Sequence, residues 1–181
     1  MALAAAAALA VLSTVTIGGS ADAANALATC PDATVPATQV SIGDLRKSIQ
    51  CLANQERRRN GRKVMQADRR LAKAAKKHIG VMVATDCLDH LCGNEPVLEK
   101  RIRKAGYFAG ARSYDYAENV GCEQTTAQMV ANWMASPLHR KNLLDRKLDE
   151  FGVAATYGRV PSRCYEGYVT FVTVFGRRSP G

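Results

Sequence analysis

Apolar residues recur first at helical spacing and later at strand spacing along this chain. Ser41-x-x-Asp44 reads as a capping box, after which Leu45, Ile49, Leu52 and Glu56 share one stripe, so the pattern predicts a first helix ending near Asn60-Gly61. Asp68 opens a second, with Leu71, Ala74, Ala75, His78 and Met82 on one face and Arg69, Arg70, Lys73, Lys76 and Lys77 over the rest. Asn94-Glu95-Pro96 starts a third, which places Leu98, Ile102 and Ala105 inward and stops at Gly106. The Tyr- and Gly-rich residues 107–116 read as a loop before a short strand at Ala117–Val120. Thr125-x-x-Gln128 caps a fourth helix with Met129, Val130 and Trp133 inward, ended by Ser136-Pro137, with His139 just beyond. Residues 151–157 and 168–175 are β-branched and aromatic, separated by a Gly/Pro/Ser stretch, and predict an antiparallel pair with a long connection. Helices first and strands last predict an α+β layer arrangement. The chain contains no internal repeat, sustained heptad or transmembrane span.

The length, 181 residues, suits one domain with extensions. Residues 3–12 form an Ala/Leu/Val run too short to span a bilayer, and small residues at 21–23 and 24–26 offer signal-peptidase sites. The expected organisation is a signal peptide over 1–23, cut after Ala23 or Ala26, an extension over 24–43 tied by Cys30, and a domain over 44–178. A secreted product follows, although the segment before the apolar run lacks the usual Lys or Arg.

Six cysteines, all beyond the cleavage sites, suit an oxidising compartment. Cys87 and Cys92 enclose a short loop and are read as one pair; Cys30 then ties the lead-in to Cys51, leaving Cys122 with Cys164. No Cys-x-x-Cys occurs, which argues against a zinc thiolate cluster. The formal charge is +9, concentrated in Arg57, Arg58, Arg59, Arg62 and Lys63 and in the cations of the second helix. Such a field attracts polyanions, and for an exported protein these are anionic envelope polymers or lipid headgroups rather than nucleic acid. A plain solvated helix face is the competing reading.

Three motifs carry the candidate chemistry: Cys87-Leu88-Asp89-His90, then Ala117-Glu118-Asn119-Val120, then Trp133-Met134-Ala135-Ser136-Pro137-Leu138-His139-Arg140-Lys141-Asn142. In this order they resemble the CAP superfamily (cysteine-rich secretory, antigen-5 and pathogenesis-related proteins), in particular its bacterial SCP-like extracellular members, from about Cys51 to Gly176. The resemblance implies a three-layer α-β-α sandwich with a central antiparallel sheet and a ligand cleft of His90, Glu118, Ser136 and His139. Asn119, Arg140 and Asn142 would support that cleft, with Arg140 pairing to a carboxylate. Many eukaryotic members carry a second glutamate where Ser136 stands, so a divalent metal such as zinc would bind through His90 and His139 with modest affinity; no cofactor is required.

Two imidazoles and a carboxylate can bind a metal, polarise a water, or simply form a hydrogen-bonded network that fixes loops. The resemblance implies an extracellular or envelope-associated binding role, with lipids, sterols, fatty acids or wall components as ligands. The alternative is a metal-assisted or general-base hydrolase using the same residues; a third reading leaves the cleft inert and gives attachment to the basic helix face. A serine-hydrolase triad at Ser136 lacks a nucleophile elbow. His78 reads as a satisfied core histidine, Trp133 as core, and Tyr107, Tyr114 and Tyr116 as a cluster lining a groove.

Overall fold

The computed structural model describes residues 30–158 and 160–180, so the expected signal peptide and its cleavage sites lie outside the described residues. Among these residues five α-helices, α1 (Ile42–Arg59), α2 (Arg69–Ala84), α3 (Leu98–Lys104), α4 (Thr126–Ala135) and α5 (Pro137–Leu144), enclose a sheet of β1 (Gln66–Ala67), β2 (Ala111–Glu123), β3 (Glu150–Thr156) and β4 (Val169–Pro180). The strand order is β1-β3-β4-β2; the three long strands pair antiparallel, and the two-residue β1 adds a parallel edge to β3.

Strand alternation splits the core in two. Phe151, Val153, Phe171 and Phe175 pack under α1, α4 and α5 with Leu45, Ile49, Met129 and Trp133. Ala154, Val172 and Val174 face the opposite way, against Leu71, Met82 and Ile102 of α2 and α3. Period-two side chains on one sheet thus feed two helical layers, and the α-β-α sandwich follows.

The capping signals act as read: the Ser41 hydroxyl accepts from the Asp44 N–H, Asp68 accepts from the N–H groups of Arg70 and Leu71, and Thr125 accepts from Gln128. Three details differ from the pattern. First, β2 starts at Ala111 rather than Ala117. Its first half is largely exposed and so lacks an apolar alternation, but residues 176–180 of β4 continue alongside as a backbone partner. Second, Pro137 is the first residue of another helix, where its missing N–H costs nothing, so His139 lies on α5. Third, α3 begins at Leu98, after Val97 and without a side-chain cap, while the Glu95 side chain turns inward to accept from the Cys92 N–H.

All three disulfides form as read: Cys30–Cys51, Cys87–Cys92 and Cys122–Cys164. Arg57, counted with the exposed basic field, is instead 1 % exposed. Its guanidinium donates to the carbonyls of Lys63, Leu143, Asp145 and Leu148, which orders the connection from α5 to β3. Tyr107 is also buried rather than groove-lining; its hydroxyl donates to Glu150, and burial with that bond pushes its ionisation far up.

Candidate functional site

Glu118 projects from β2 into the layer that α2 and α3 build. Its carboxylate is almost fully buried, and Arg101 of α3 grips it with both ends of the guanidinium: Nη1 lies 3.1 Å from Oε2 and Nη2 3.1 Å from Oε1. The same Nη2 donates to the His90 carbonyl at 2.8 Å, so one side chain fixes both the carboxylate and the loop beside it. Arg101 Nε makes no hydrogen bond and lies 3.7 Å from Glu95 Oε2.

His78 closes the cluster from α2. Its Nε2 lies 3.0 Å from the Asp89 carbonyl, which can only accept, and its Nδ1 lies 2.7 Å from Glu95 Oε1. Both ring nitrogens thus have an oxygen partner. His78 Nε2 is also 3.7 Å from Glu118 Oε1. A buried quartet of Arg101, His78, Glu95 and Glu118 results. His78 is therefore satisfied, as its place on the apolar stripe suggested, and it also lies against the carboxylate of the site.

His90 sits above this quartet in the loop closed by Cys87–Cys92 and is half exposed. Its Nδ1 is 3.1 Å from Glu118 Oε1. That hydrogen bond, with the carboxylate's charge, holds the imidazolium above the ordinary histidine range despite partial desolvation. His139, half-buried on α5, is displaced the other way, first by burial and then by the charge of His90.

The support residues divide. Asn119 is buried and donates to the His139 carbonyl at 3.1 Å, while Asn142 donates to Asn119 Oδ1 at 3.0 Å and to the Glu118 carbonyl at 3.1 Å; together they bolt α5 to the Glu-Asn motif. Arg140 points elsewhere: it donates to Asn60 Oδ1 at the end of α1, not to a carboxylate. Ser136 joins α4 to α5 and makes no side-chain cap for α5.

Sequence reading missed Arg101 and Glu95 as members of this cluster. A signal existed, since Leu98, Arg101, Ile102 and Ala105 share one stripe, and an arginine on an apolar stripe demands buried acceptors, a carboxylate or carbonyls. Among the described residues no group of three or more His, Cys, Asp or Glu side chains can hold a metal ion. The reason is local: both Glu118 oxygens are engaged by Arg101, leaving two imidazoles, one short of the three protein ligands of a catalytic zinc centre. The donors therefore do not fit such a centre.

The sequence model of the cysteine-rich secretory protein family matches residues 52–175. No match was found among curated proteins. Among solved structures, an outer surface protein of Borrelia burgdorferi is similar at 19 % identity and a TM-score of 0.62, over 77 % of this chain and 97 % of that one. An extracellular protein containing an SCP domain from Bacillus anthracis superposes with a TM-score of 0.60 at 21 % identity, over 75 % of this chain and 41 % of that one. For a cysteine-rich secretory protein of Staphylococcus aureus the figures are 0.55, 19 %, 75 % and 38 %. The chain thus spans about two fifths of the last two proteins.

Proposed function

The chain belongs to the cysteine-rich secretory protein (CAP) family, and from that premise we propose that it is an exported, envelope-associated binding protein whose ligand seats beside His90 and His139. The observation that carries this reading is the double grip of Arg101 on Glu118. A carboxylate with both oxygens engaged and almost no solvent is poorly placed to take a proton from substrate; it serves instead to charge and orient His90. The site then presents one imidazole whose proton affinity is raised, a second on α5 whose proton affinity is lowered, and an exposed rim, which suits holding an anionic or hydroxylated group of a lipid, sterol or wall component. Three disulfides support an extracellular setting, and among the described residues no helix is long and apolar enough to cross a membrane. The exposed cations of α2 support attachment to an anionic envelope polymer or lipid.

One observation favours a second reading. His90 and His139 have their proton affinities pushed in opposite directions, which is the arrangement a general acid and a general base require. Titrating envelope lipids and soluble wall fragments while following the imidazole resonances decides between the two. Binding predicts that a ligand perturbs both rings, that His90→Ala weakens it, and that no product forms. Turnover of ester, peptide or glycan substrates that vanishes in His90→Ala and His139→Ala would replace binding by hydrolysis. Zinc calorimetry on the same variants checks the metal: the geometry predicts no histidine-dependent three-ligand site.

A further inference from the structure

A cavity of about 430 Å³ opens between the α1–β1 loop, the α5–β3 connection and the end of β4, and it shares no residue with the His90 cleft or with α2. Five cations line it, Arg57, Arg62, Lys63, Arg146 and Arg177, against one acid, Asp149. The buried Arg57 has its donors spent on four carbonyls, and in this way it pins both walls: the Lys63 carbonyl on one side and those of Leu143, Asp145 and Leu148 on the other. Arg62 is anchored through Nε to the Leu144 carbonyl at 2.9 Å, and among the described residues its two terminal nitrogens are uncommitted. Lys63 and Arg146 have no anionic partner among the same residues, and Arg177 has only Asp149, at 3.9 Å between exposed side chains. Burial lowers the proton affinity of Arg57; Asp145 offsets this, and the Arg62 guanidinium lowers it further, so the cations of the cavity crowd one another.

We infer that this cavity binds a compact, multiply charged phosphate group, a diphosphate or a phosphomonoester carried by a water-soluble ligand, which Arg62, Lys63, Arg146 and Arg177 surround. The excess of positive charge selects an anion. Guanidinium forks narrow the choice, since each can meet two oxygens of one phosphate, whereas the carboxylate already present reaches only Arg177. A carboxylate ligand would bring a single charge to these four cations; a phosphate group brings more charge and a third acceptor oxygen. The one apolar side chain of the lining is Leu148, itself 2 % exposed, so an acyl chain finds no floor here and a lipid is the poorer occupant. The volume falls within the range of small-ligand sites and leaves room for the group that carries the phosphate. Both walls are held by Arg57, so the cations are gathered before the ligand arrives and binding does not have to order two loops. Envelope attachment through the exposed α2 face uses none of these residues, so the loss of one site leaves the other.

The experiment follows backbone amide resonances of the full chain during titration with pyrophosphate and with glycerol phosphate at constant ionic strength; sulfate and acetate are controls. Pyrophosphate or glycerol phosphate should give saturating shifts at residues 61–63, 146–148 and 177, and the tighter of the two identifies the diphosphate or the monoester as the group recognised. The controls should not saturate these amides at equal concentration. Arg146→Gln and Arg177→Gln, both at exposed positions, should each weaken binding about tenfold with the amide spectrum still dispersed, the loss of one charge-assisted contact. Asp149→Asn, which removes the one opposing charge, should tighten binding, and Lys73→Gln/Lys76→Gln on α2 should leave it unchanged. Equal binding of sulfate or acetate, shifts on α2 in place of the cavity, affinity indifferent to both arginine variants, or affinity lost in the α2 variant would each overturn the assignment.

Discussion

Glu118 meets three nitrogen-bearing side chains, Arg101, His78 and His90, and the first two share its burial. Removing one partner of a buried ion pair strands the other, so Arg101→Leu should cost roughly 3–5 kcal/mol in denaturant unfolding. Arg103→Leu, which breaks the exposed pair with Glu99, should cost less than about 1 kcal/mol. The two histidines give opposite pH slopes. His90 binds its proton more tightly folded than unfolded, so its contribution is complete below the unfolded value near ~6.5 and is lost as pH rises through the higher folded value. His139 is depressed, so its contribution is present above ~6.5 and is lost as pH falls through the lower folded value. Imidazole titration by NMR should place the two rings on either side of an unfolded reference peptide, and Glu118→Gln should bring His90 back toward it.

At the level of elements, α2 and β3 meet at a glycine. A Cβ at Gly152 would overlap the backbone nitrogen of Ala72 and the carbonyl carbon of Leu71, neither of which can rotate away. Gly152→Ala should therefore lift α2 off the sheet and cost about 3 kcal/mol or more. Gly121→Ala meets only the end of the Met129 side chain and the edge of Trp133, and thermal unfolding should find it far milder. No periodicity reveals Gly152, because a close approach between two backbones leaves no side-chain pattern. What the sequence did reveal was largely local: the caps at Ser41, Asp68 and Thr125 and the inward stripes rest on neighbours within a few residues, and β3 and β4 announced themselves as consecutive β-branched and aromatic runs. The early start of β2 was hidden because its evidence lay in a distant strand, and the Arg101–Glu118 grip was hidden because stripes are scored by hydrophobicity. His90 and Glu118 were legible through motif order, whereas Arg140 was misdirected because residue type alone does not fix where a long side chain reaches.

Across the whole molecule, the disulfides divide labour by span. Cys122–Cys164 closes 42 residues and Cys87–Cys92 only 5, so loop entropy assigns them about 4 and about 2 kcal/mol. The double serine variant of Cys87 and Cys92 should accordingly lower stability less, but bring the His90 titration back toward its unfolded reference by freeing its loop. The variant of Cys122 and Cys164 should do the reverse. Association with anionic vesicles should weaken between low and ~0.15 M salt as the Debye length shrinks, and reversal at Arg69, Lys73 and Lys76 should weaken it further. Arg57 belongs to none of this, since it faces the interior. Its guanidinium reaches carbonyls 86 to 91 positions further along the chain. Among the described residues the backbone between α5 and β3 meets the sheet only at Asp149, and three carbonyls from Leu143 to Leu148 are held by this one side chain of α1. That segment is therefore one of the last to form and, by the same token, a gate for opening: loss of Arg57 should act mainly as a faster unfolding rate, with the refolding rate little changed.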